Sequence, residues 1–268
     1  MLVDSHCHLN YPEFADLDET ARRAHEAGVG LMVTISTSLA SFPDVLAIAE
    51  ARDDIYCTVG VHPHRAEKEP VTVDDLLALI GHPKVIGIGE AGLDYYYQHA
   101  PREVQQEQFR VHIQAARESG LPLVVHTRDA EDDTLKVLRD EMQKGAFRGL
   151  IHCFSASADF ARAALDMGLY ISCSGIITFD KADALRAAVA AVPMDRLLVE
   201  TDAPYLAPVP YRGKKNQPAY TAHTAVKLAE IKGVTVAEID HATTGNFFAL
   251  FAKASRSQHL DEVKIACA

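Results

Sequence analysis

The chain has 268 residues, 48% of them hydrophobic, which suits one globular domain with a sizeable core. Its formal net charge of -11 excludes a protein that coats nucleic acid through a basic surface, although bound cations can supply positive charge locally. No run of apolar residues is long enough to cross a membrane, and the start MLVDSHCHLN lacks the basic and apolar regions of an export signal. We therefore expect a cytoplasmic protein with no membrane partner.

Short β-rich runs alternate with longer amphipathic stretches along the chain. The clearest helical stretch is 102–119, in which Phe109, Ile113 and Ala116 recur at helical spacing. Alternation of this kind predicts βαβ units and a parallel sheet, and near-continuous apolar strands indicate burial on both faces. The predicted strands are residues 1–6, 29–36, 55–61, 84–89, 122–126, 148–153, 169–174 and 196–200.

The chain length and these runs predict an α/β fold, a (β/α)8 TIM barrel whose functional site lies at the C-terminal face of the strands. An open doubly wound sheet is the alternative. It would gather ligands at one switch point, and would not explain polar residues after both the first and the last strand. We expect a single domain over 1–268, with 252–268 as a loosely held tail, because no linker-like change in composition occurs.

Histidine and carboxylate side chains follow the predicted strands at their C-terminal ends. Nitrogen and oxygen ligands gathered from distant segments are typical of sites for borderline or hard divalent ions. Two such ions, roughly 3.5–4 Å apart, are a common arrangement for the hydrolysis of phosphate esters. The predicted metal ligands are His6, His8, Glu90, His126, His152 and Asp202.

Two of these ligands are also predicted to be catalytic. Glu90 follows the apolar run of GIGE, where a carboxylate is costly to bury unless it meets a cation. A carboxylate that bridges two ions meets that need, and a salt bridge to a buried arginine is the alternative. Asp202 suits a ligand that also accepts a proton from an attacking water, and capping of a helix is its alternative. His6 and His8 point to one side of a strand, because side chains alternate.

Other polar residues near the strand ends are predicted to face the substrate. His64 would reach over the mouth of the barrel and hold a phosphate, whereas His62 fits either the core or the site. Arg128 is placed to bind a phosphate with its forked guanidinium group, or to pair with an aspartate at the start of the next helix. Asp94 is expected to support the site or to cap a loop.

Several sequence patterns are absent. Neither GxxxxGK[ST] nor GxGxxG occurs, so no nucleotide cofactor is indicated, and the lack of GxSxG disfavours a serine hydrolase. No lysine ends the fourth strand, where Glu90 stands instead. This counts against binuclear amidohydrolases whose bridging ligand is a carbamylated lysine. The odd number of cysteines and the absence of CxxC disfavour a disulfide framework.

Nine blocks that span the chain in order resemble the TatD family of metal-dependent deoxyribonucleases. The resemblance implies a TIM barrel, two divalent ions held by the six predicted ligands, and hydrolysis of DNA phosphodiesters, often from the 3′ end. The blocks are DSHCHL at 4–9, GVHPH at 60–64, GIGEAGLDYY at 87–96, QQEQF at 105–109, PLVVHTRDA at 122–130, HCFS at 152–155, SCSG at 172–175, ETDAPYL at 200–206 and GNFFALF at 245–251.

The resemblance also implies that the segment 211–220 borders the site. Lys214 and Lys215 lie in this segment, where they would contact a DNA backbone or else stand in a solvated loop. We therefore predict a metal-dependent phosphodiesterase, a TatD-type DNase with 3′–5′ exonuclease-like action on DNA. Histidine-rich ligation favours Zn²⁺, Mn²⁺ or Fe over Mg²⁺ alone. The alternatives are an amide or ester hydrolase with two ions on the same barrel, and a metal-binding protein without turnover.

Overall fold

The computed structural model describes residues 1–255, and the remainder of the predicted tail, 256–268, lies outside the described residues. The first residues of that tail are held in place, because the ammonium of Lys253 donates hydrogen bonds to the carbonyl oxygens of Ile80 and His82, each at 2.7 Å. No helix within the described range combines the length and the apolar character needed to cross a membrane.

Within the described range, strands and helices alternate from the first strand to the eighth helix, and a ninth helix follows. The prediction of a strand–helix barrel is confirmed, and the helix predicted over 102–119 has those bounds. The elements of residues 1–255 are β1 Leu2–Cys7, α1 Leu17–Glu26, β2 Val29–Thr34, α2 Phe42–Glu50, β3 Ile55–Val59, α3 Val73–Leu77, β4 Val85–Asp94, α4 Arg102–Ser119, β5 Leu123–Arg128, α5 Glu131–Lys144, β6 Gly149–Ile151, α6 Ala158–Asp166, β7 Tyr170–Cys173, α7 Asp183–Ala191, β8 Leu197–Val199, α8 Thr221–Lys232 and α9 Val236–Leu250.

The strands form one parallel sheet in which each strand pairs with the next along the chain, from β1 to β8. The sheet closes where β1 meets the segment that follows β8. There the amide of Asp202 donates to the carbonyl oxygen of His6 at 2.9 Å, and the amide of His8 donates to that of Ala203 at 2.8 Å. Closure of the barrel therefore brings the predicted ligands of the first and the last strand together.

Two apolar layers stabilise the barrel. An inner layer contains strand residues such as Leu31 and Ile86, and it also includes Phe247 and Phe251. An outer layer lies between the strands and the surrounding helices and includes Cys7. Both faces of the strands are buried, as a closed α/β barrel requires. The rings of Phe247 in α9 and of Phe251 just after it pack with this inner layer, whereas the site lies at the C-terminal ends of the strands.

The fourth strand departs from its prediction. The run predicted over 84–89 continues as β4 to Asp94, so Glu90 lies inside the strand and not at its end. Pairing with β5 is irregular between Ile88 and Ala91, on either side of Glu90, and resumes with Ala91 opposite Val125. Glycines in this run let the strand bulge and continue, because they have no side chain to obstruct the neighbouring backbone.

The helix α4 supports the end of β4 and the loop after β3, both of which carry site residues. The side-chain oxygen of Gln105 accepts from the amide of Asp94 at 2.8 Å, and its amide group donates to the carbonyl oxygen of Asp94 at 3.1 Å. Nε2 of His112 accepts from the amide of Val61 at 2.9 Å, and its other ring nitrogen lies 2.8 Å from the carbonyl oxygen of Gln108. These bonds require a neutral imidazole that donates through Nδ1.

The buried imidazole of His112 predicts a dependence of stability on pH. Burial lowers the pKa of His112 to about 4, below the value of about 6.5 in an unfolded chain. The unfolded state therefore binds the proton first, so this contribution to stability is complete above about pH 6.5 and is lost as the pH falls towards 4. We expect a loss of about 2 kcal/mol between about pH 7 and about pH 5.

The measurement is the free energy of unfolding in urea at both pH values, for the unchanged protein and for His112→Gln with the same metal load. Glutamine can accept from the amide of Val61 but does not titrate, so the difference between the two proteins should shrink at the lower pH. A difference that stays constant would contradict the assigned protonation state.

Candidate metal centre

Glu90 lies at the centre of the site, and its two carboxylate oxygens face different histidines. Oε1 lies 2.7 Å from Nδ1 of His126 and 2.8 Å from Nε2 of His152. Oε2 lies 3.4 Å from Nε2 of His6 on the other side. No arginine pairs with Glu90 in the part of the chain that the structure describes, unlike the alternative weighed from the sequence. A buried carboxylate that faces nitrogen ligands from two directions has the geometry of a bridge between two ions.

The first group of ligands comes from β1 and the segment after β8. Oδ1 of Asp202 lies 3.4 Å from Nε2 of His8 and 3.7 Å from Nε2 of His6. Both ring nitrogens of His6 and Nδ1 of His8 are buried without a hydrogen-bond partner. A buried polar atom left in this state costs about 1–3 kcal/mol, and a coordinated cation removes that cost for a nitrogen lone pair. These residues fit a divalent ion.

The second group comes from β5 and the residue after β6. His126 and His152 each direct one ring nitrogen at Glu90 and the other at a further carboxylate. Nε2 of His126 lies 3.3 Å from Oδ2 of Asp94, and Nδ1 of His152 lies 3.2 Å from Oε1 of Glu200. Such outer carboxylates fix the orientation and tautomer of a histidine and leave its inner nitrogen for a metal ion. Asp94 and Glu200 therefore orient the two imidazoles.

The electrostatic environment keeps the central carboxylates charged. Burial alone would raise the pKa of Glu90, but the neighbouring histidines, with His152 the largest contributor, hold that pKa well below its usual range. The same balance between burial and a histidine neighbour, here His8, lowers the pKa of Asp202. Both carboxylates are therefore negative at neutral pH, which is the form that binds a cation.

His62, left open between core and site by the sequence, lines the site. Its Nε2 lies 3.5 Å from Oε1 of Glu90, close enough to form a third group of potential ligands with Glu90 and another histidine. Its Nδ1, however, accepts a hydrogen bond from the amide of His64 at 3.1 Å. A neutral imidazole has one free lone pair, so Nε2 of His62 carries hydrogen and is a donor. The same bond, from the amide two residues after the histidine to its Nδ1, recurs at His82–Pro83–Lys84. The His-Pro pattern in the sequence therefore indicates this bond.

The ligands lie at the base of a pocket of about 760 Å³ at the C-terminal ends of the strands, a volume within the usual range for ligand sites. His64 lines this pocket, and its Nε2 lies 2.7 Å from Oδ2 of Asp94. The sequence pattern did not single out Tyr11, Tyr97 or Tyr205, which also line it. A single sequence does not distinguish such tyrosines from aromatic residues of the core, because both kinds occur next to apolar strands.

Arg128 also lines the pocket, and its guanidinium group stacks on aromatic rings. It lies 4.0 Å from the centre of the Tyr96 ring and 4.8 Å from that of Tyr97. Within the described residues it forms no ion pair with Asp129 or Asp132, which was the alternative weighed from the sequence. Its hydrogen-bond donors are thus available to an anion in the pocket.

Lys214 and Lys215 lie outside the pocket lining. Both are exposed. The ammonium of Lys215 forms an ion pair with Glu13, and that of Lys214 lies 5.7 Å from the centre of the Tyr211 ring. Their contact with a DNA backbone stays a prediction.

The chain is similar to known proteins over most of its length. It is 44% identical over 264 residues to the uncharacterized metal-dependent hydrolase YcfH of Escherichia coli K12, covering 97% of this chain and 99% of that protein. It is 34% identical to a protein of Enterobacter lignolyticus named 3′-5′ ssDNA/RNA exonuclease TatD, covering 94% of this chain and 100% of that protein.

Solved structures of similar fold include a member of the same group of proteins. The crystal structure of YjjV, a TatD homologue of Escherichia coli, superposes with a TM-score of 0.86 and 31% sequence identity, covering 94% of this chain and 98% of that one. Variants of an organophosphorus hydrolase of Deinococcus radiodurans share the fold alone, at 18% identity and a TM-score of 0.66. The model of the family described as TatD related DNase matches residues 3–252. The match of the family model and the identity to YcfH show that this chain belongs to that family and is a TatD-related metal-dependent hydrolase.

Proposed function

We propose that this protein is a phosphodiesterase that uses two divalent ions to remove nucleotides from the 3′ end of DNA. The observation that carries the proposal is the position of Glu90, whose two oxygens face separate groups of histidines. The name of the Enterobacter lignolyticus relative supports the direction of attack and the nucleic-acid substrate. Phosphodiester hydrolysis suits such a centre, because charge develops on several phosphoryl oxygens at once.

The distances around Glu90 support a division of the ligands into two sets. One ion would be held by His6, His8 and Asp202, and the other by His126 and His152, with Glu90 between them. When bound, the ions supply positive charge for the phosphoryl oxygens and increase the acidity of an attacking water. The imidazole-rich set favours Zn²⁺, Mn²⁺ or Fe, whereas Mg²⁺ prefers oxygen ligands.

Exposure distinguishes the roles of the two central carboxylates. The side chain of Asp202 is 15% exposed and lines the pocket, whereas that of Glu90 is 3% exposed. A general base must come within hydrogen-bond reach of the water that it deprotonates. We therefore assign proton acceptance to Oδ1 or Oδ2 of Asp202, and the positioning of the histidines to Glu90.

Three residues that line the pocket would orient the substrate. The planar guanidinium group of Arg128 matches two phosphate oxygens. His64 stands beside Asp94, which holds its ring in the pocket, and its imidazole would contact the same phosphate or the next one. Nε2 of His62 would donate to Glu90 or to a phosphate oxygen above it. Each of these contacts positions the phosphodiester over the central carboxylates.

An amide or ester hydrolase is the other candidate, because one barrel supports many reactions. A substrate panel tests the choice. The metal-loaded protein should hydrolyse bis-p-nitrophenyl phosphate and oligonucleotides, and should act much more slowly on p-nitrophenyl acetate and small amides. Preference for the carboxylic ester or the amides would reject the proposed reaction, and metal binding without turnover of any substrate would indicate a metal-binding protein.

The basic loop gives a further prediction. Lys215 is already paired with Glu13, so Lys214 should contribute more to binding of a DNA backbone. We expect Lys214→Ala to raise KM for an oligonucleotide about two- to threefold and to reduce its salt dependence, with a smaller effect of Lys215→Ala. The double change should raise KM several-fold.

Steady-state kinetics at several salt concentrations provide the measurement, and bis-p-nitrophenyl phosphate, too short to reach the loop, provides the control. Equal losses on both substrates would indicate a damaged centre, and no loss on either would show that the loop is solvated and makes no contact.

A further inference from the structure

The exposed aromatic side chains of residues 1–255 gather at the mouth of the pocket. Tyr96, Tyr97 and Tyr205 are 57%, 50% and 49% exposed. Tyr97 and Tyr205 line the pocket, and Tyr96 contacts Arg128, which also lines it. Exposed apolar surface is costly, and a concentration of it around a site marks a surface that meets a partner or ligand.

Tyr205 is half exposed, and no described ring stacks on it. Its ring stands nearly perpendicular to that of Tyr11, at 5.9 Å and 81°, and to that of His8, at 6.2 Å and 72°. Its hydroxyl donates to that of Tyr11 at 3.2 Å, which holds the ring in place. Among the described residues no other ring lies parallel to Tyr205 and no cation lies over it. The ring therefore stands beside the predicted ligand His8 without a stacking partner.

The rings on the other side of the mouth are already occupied. Tyr96 and Tyr97 hold the guanidinium group of Arg128, and Tyr97 lies nearly parallel to His99 at 5.6 Å and 12°. A guanidinium group fixed in this way loses little conformational freedom when it binds an anion. Arg128 is thus positioned to bind a phosphate, whereas the ring of Tyr205 is positioned to stack on a flat, apolar group.

The topology of the barrel separates Tyr205 from Arg128. Tyr205 follows β8 and Arg128 ends β5, three strands away around the barrel. Glu90 on β4 and Asp202 after β8 lie at the base of the same pocket. A strand that spans the pocket between Tyr205 and Arg128 would pass above the central carboxylates.

We propose that an unpaired nucleotide strand binds across this mouth, with one nucleobase stacked on Tyr205 and a backbone phosphate on Arg128. This proposal rests on the phosphodiesterase function proposed above. A base in a duplex has both faces covered by its neighbours, so only an unpaired or extruded nucleotide can place a face on the ring. Stacking also suits an acidic protein, because it does not depend on long-range attraction between the protein and a polyanion.

The first experiment compares Tyr205→Leu with Tyr205→Phe, each loaded with metal to the same content. Tyr205→Leu should raise KM for a single-stranded oligonucleotide roughly 5- to 150-fold more than it raises KM for bis-p-nitrophenyl phosphate. Tyr205→Phe keeps the ring and loses only the hydroxyl, so it should restore most of the binding. A merely structural role of Tyr205 would instead change both substrates by the same factor.

The second experiment removes the base and not the ring. With the unchanged protein, an oligonucleotide with abasic terminal positions should show a KM raised by the same factor. With Tyr205→Leu, removal of the bases should raise KM no further. A 2-aminopurine base at the end of the strand should show quenched fluorescence on binding to the unchanged protein and to Tyr205→Phe, but not on binding to Tyr205→Leu.

The outcomes separate this proposal from the function on which it rests. If the unchanged, metal-loaded protein cleaves no oligonucleotide, both the nuclease function and the stacking are rejected. If it cleaves oligonucleotides but Tyr205→Leu alters both substrates equally, or if abasic and intact strands bind alike, only the stacking is rejected. Preference for a blunt duplex over a single strand would also overturn it.

Discussion

Replacing Glu90 with glutamine is expected to lower turnover at least ~100-fold while the barrel stays folded. Glutamine has nearly the same shape, so the packing of β4 is kept. It lacks the negative charge, and an NH2 group would replace one of the two carboxylate oxygens, either the one that faces His126 and His152 or the one that faces His6. The measurements are kcat for bis-p-nitrophenyl phosphate and metal content, together with the thermal unfolding temperature as a test of folding.

A matched control comes from Glu141, another buried glutamate, which pairs with Arg110 and Arg117 and does not line the pocket. Glu141→Gln should lower the unfolding temperature because it leaves the two partly buried arginines with a neutral and weaker partner. Turnover per metal-loaded molecule should stay near that of the unchanged protein. If Glu90→Gln kept full turnover with its metal bound, the bridging role assigned to Glu90 would be wrong.

Gly92→Ala is expected to cost at least ~3 kcal/mol in the free energy of unfolding and to weaken metal binding. Gly92 has a φ of +149°, and a Cβ atom there would lie 2.0 Å from the carbonyl oxygen of His126. The obstructing atom is backbone, so β5 would have to move away from β4. His126, one of the predicted ligands, would move with it. Denaturant unfolding and metal titration of the purified variant measure the two effects.

Gly81→Ala provides the comparison, because a Cβ atom at Gly81 would meet no atom within 4 Å and the residue has no positive φ. This change should leave stability within about 0.5 kcal/mol. Equal stability of the two variants would mean that β4 and β5 do not approach as closely at Gly92 as the structure shows.

Much of the fold follows from the sequence because the strands carry a strong and simple pattern. Strands buried on both faces are nearly continuous apolar runs, and each is separated from the next by an amphipathic helix, so order and type are recognisable. The residues at which strands end cannot be recognised in this way. The run ending at 89 continues to Asp94, because the glycines around Glu90 permit a bulge that no hydrophobic period reveals.

Some features of the site follow from the sequence in the same way, and others do not. His6, His8 and Asp202 meet because barrel closure joins the first strand to the last, a consequence of topology that the sequence already implies. The role of His62 depends on a single bond from the amide of His64, and that of Tyr205 on which ring faces remain uncovered. Such features depend on local geometry within a few ångströms, which one sequence does not specify.

The most direct test of a metal-dependent phosphodiesterase combines metal analysis with cleavage of a 3′-end-labelled, single-stranded oligonucleotide by the same preparation. Protein purified without chelator should carry between about one and about two equivalents of a transition metal, as two sites sharing Glu90 would hold. Removal of the metal should abolish release of the label and lower the unfolding temperature, and Zn²⁺ or Mn²⁺ should restore both. Release of the label at an unchanged rate in the presence of chelator, or a protein that neither binds nor is stabilised by any divalent ion, would contradict the metal centre and the mechanism built on it.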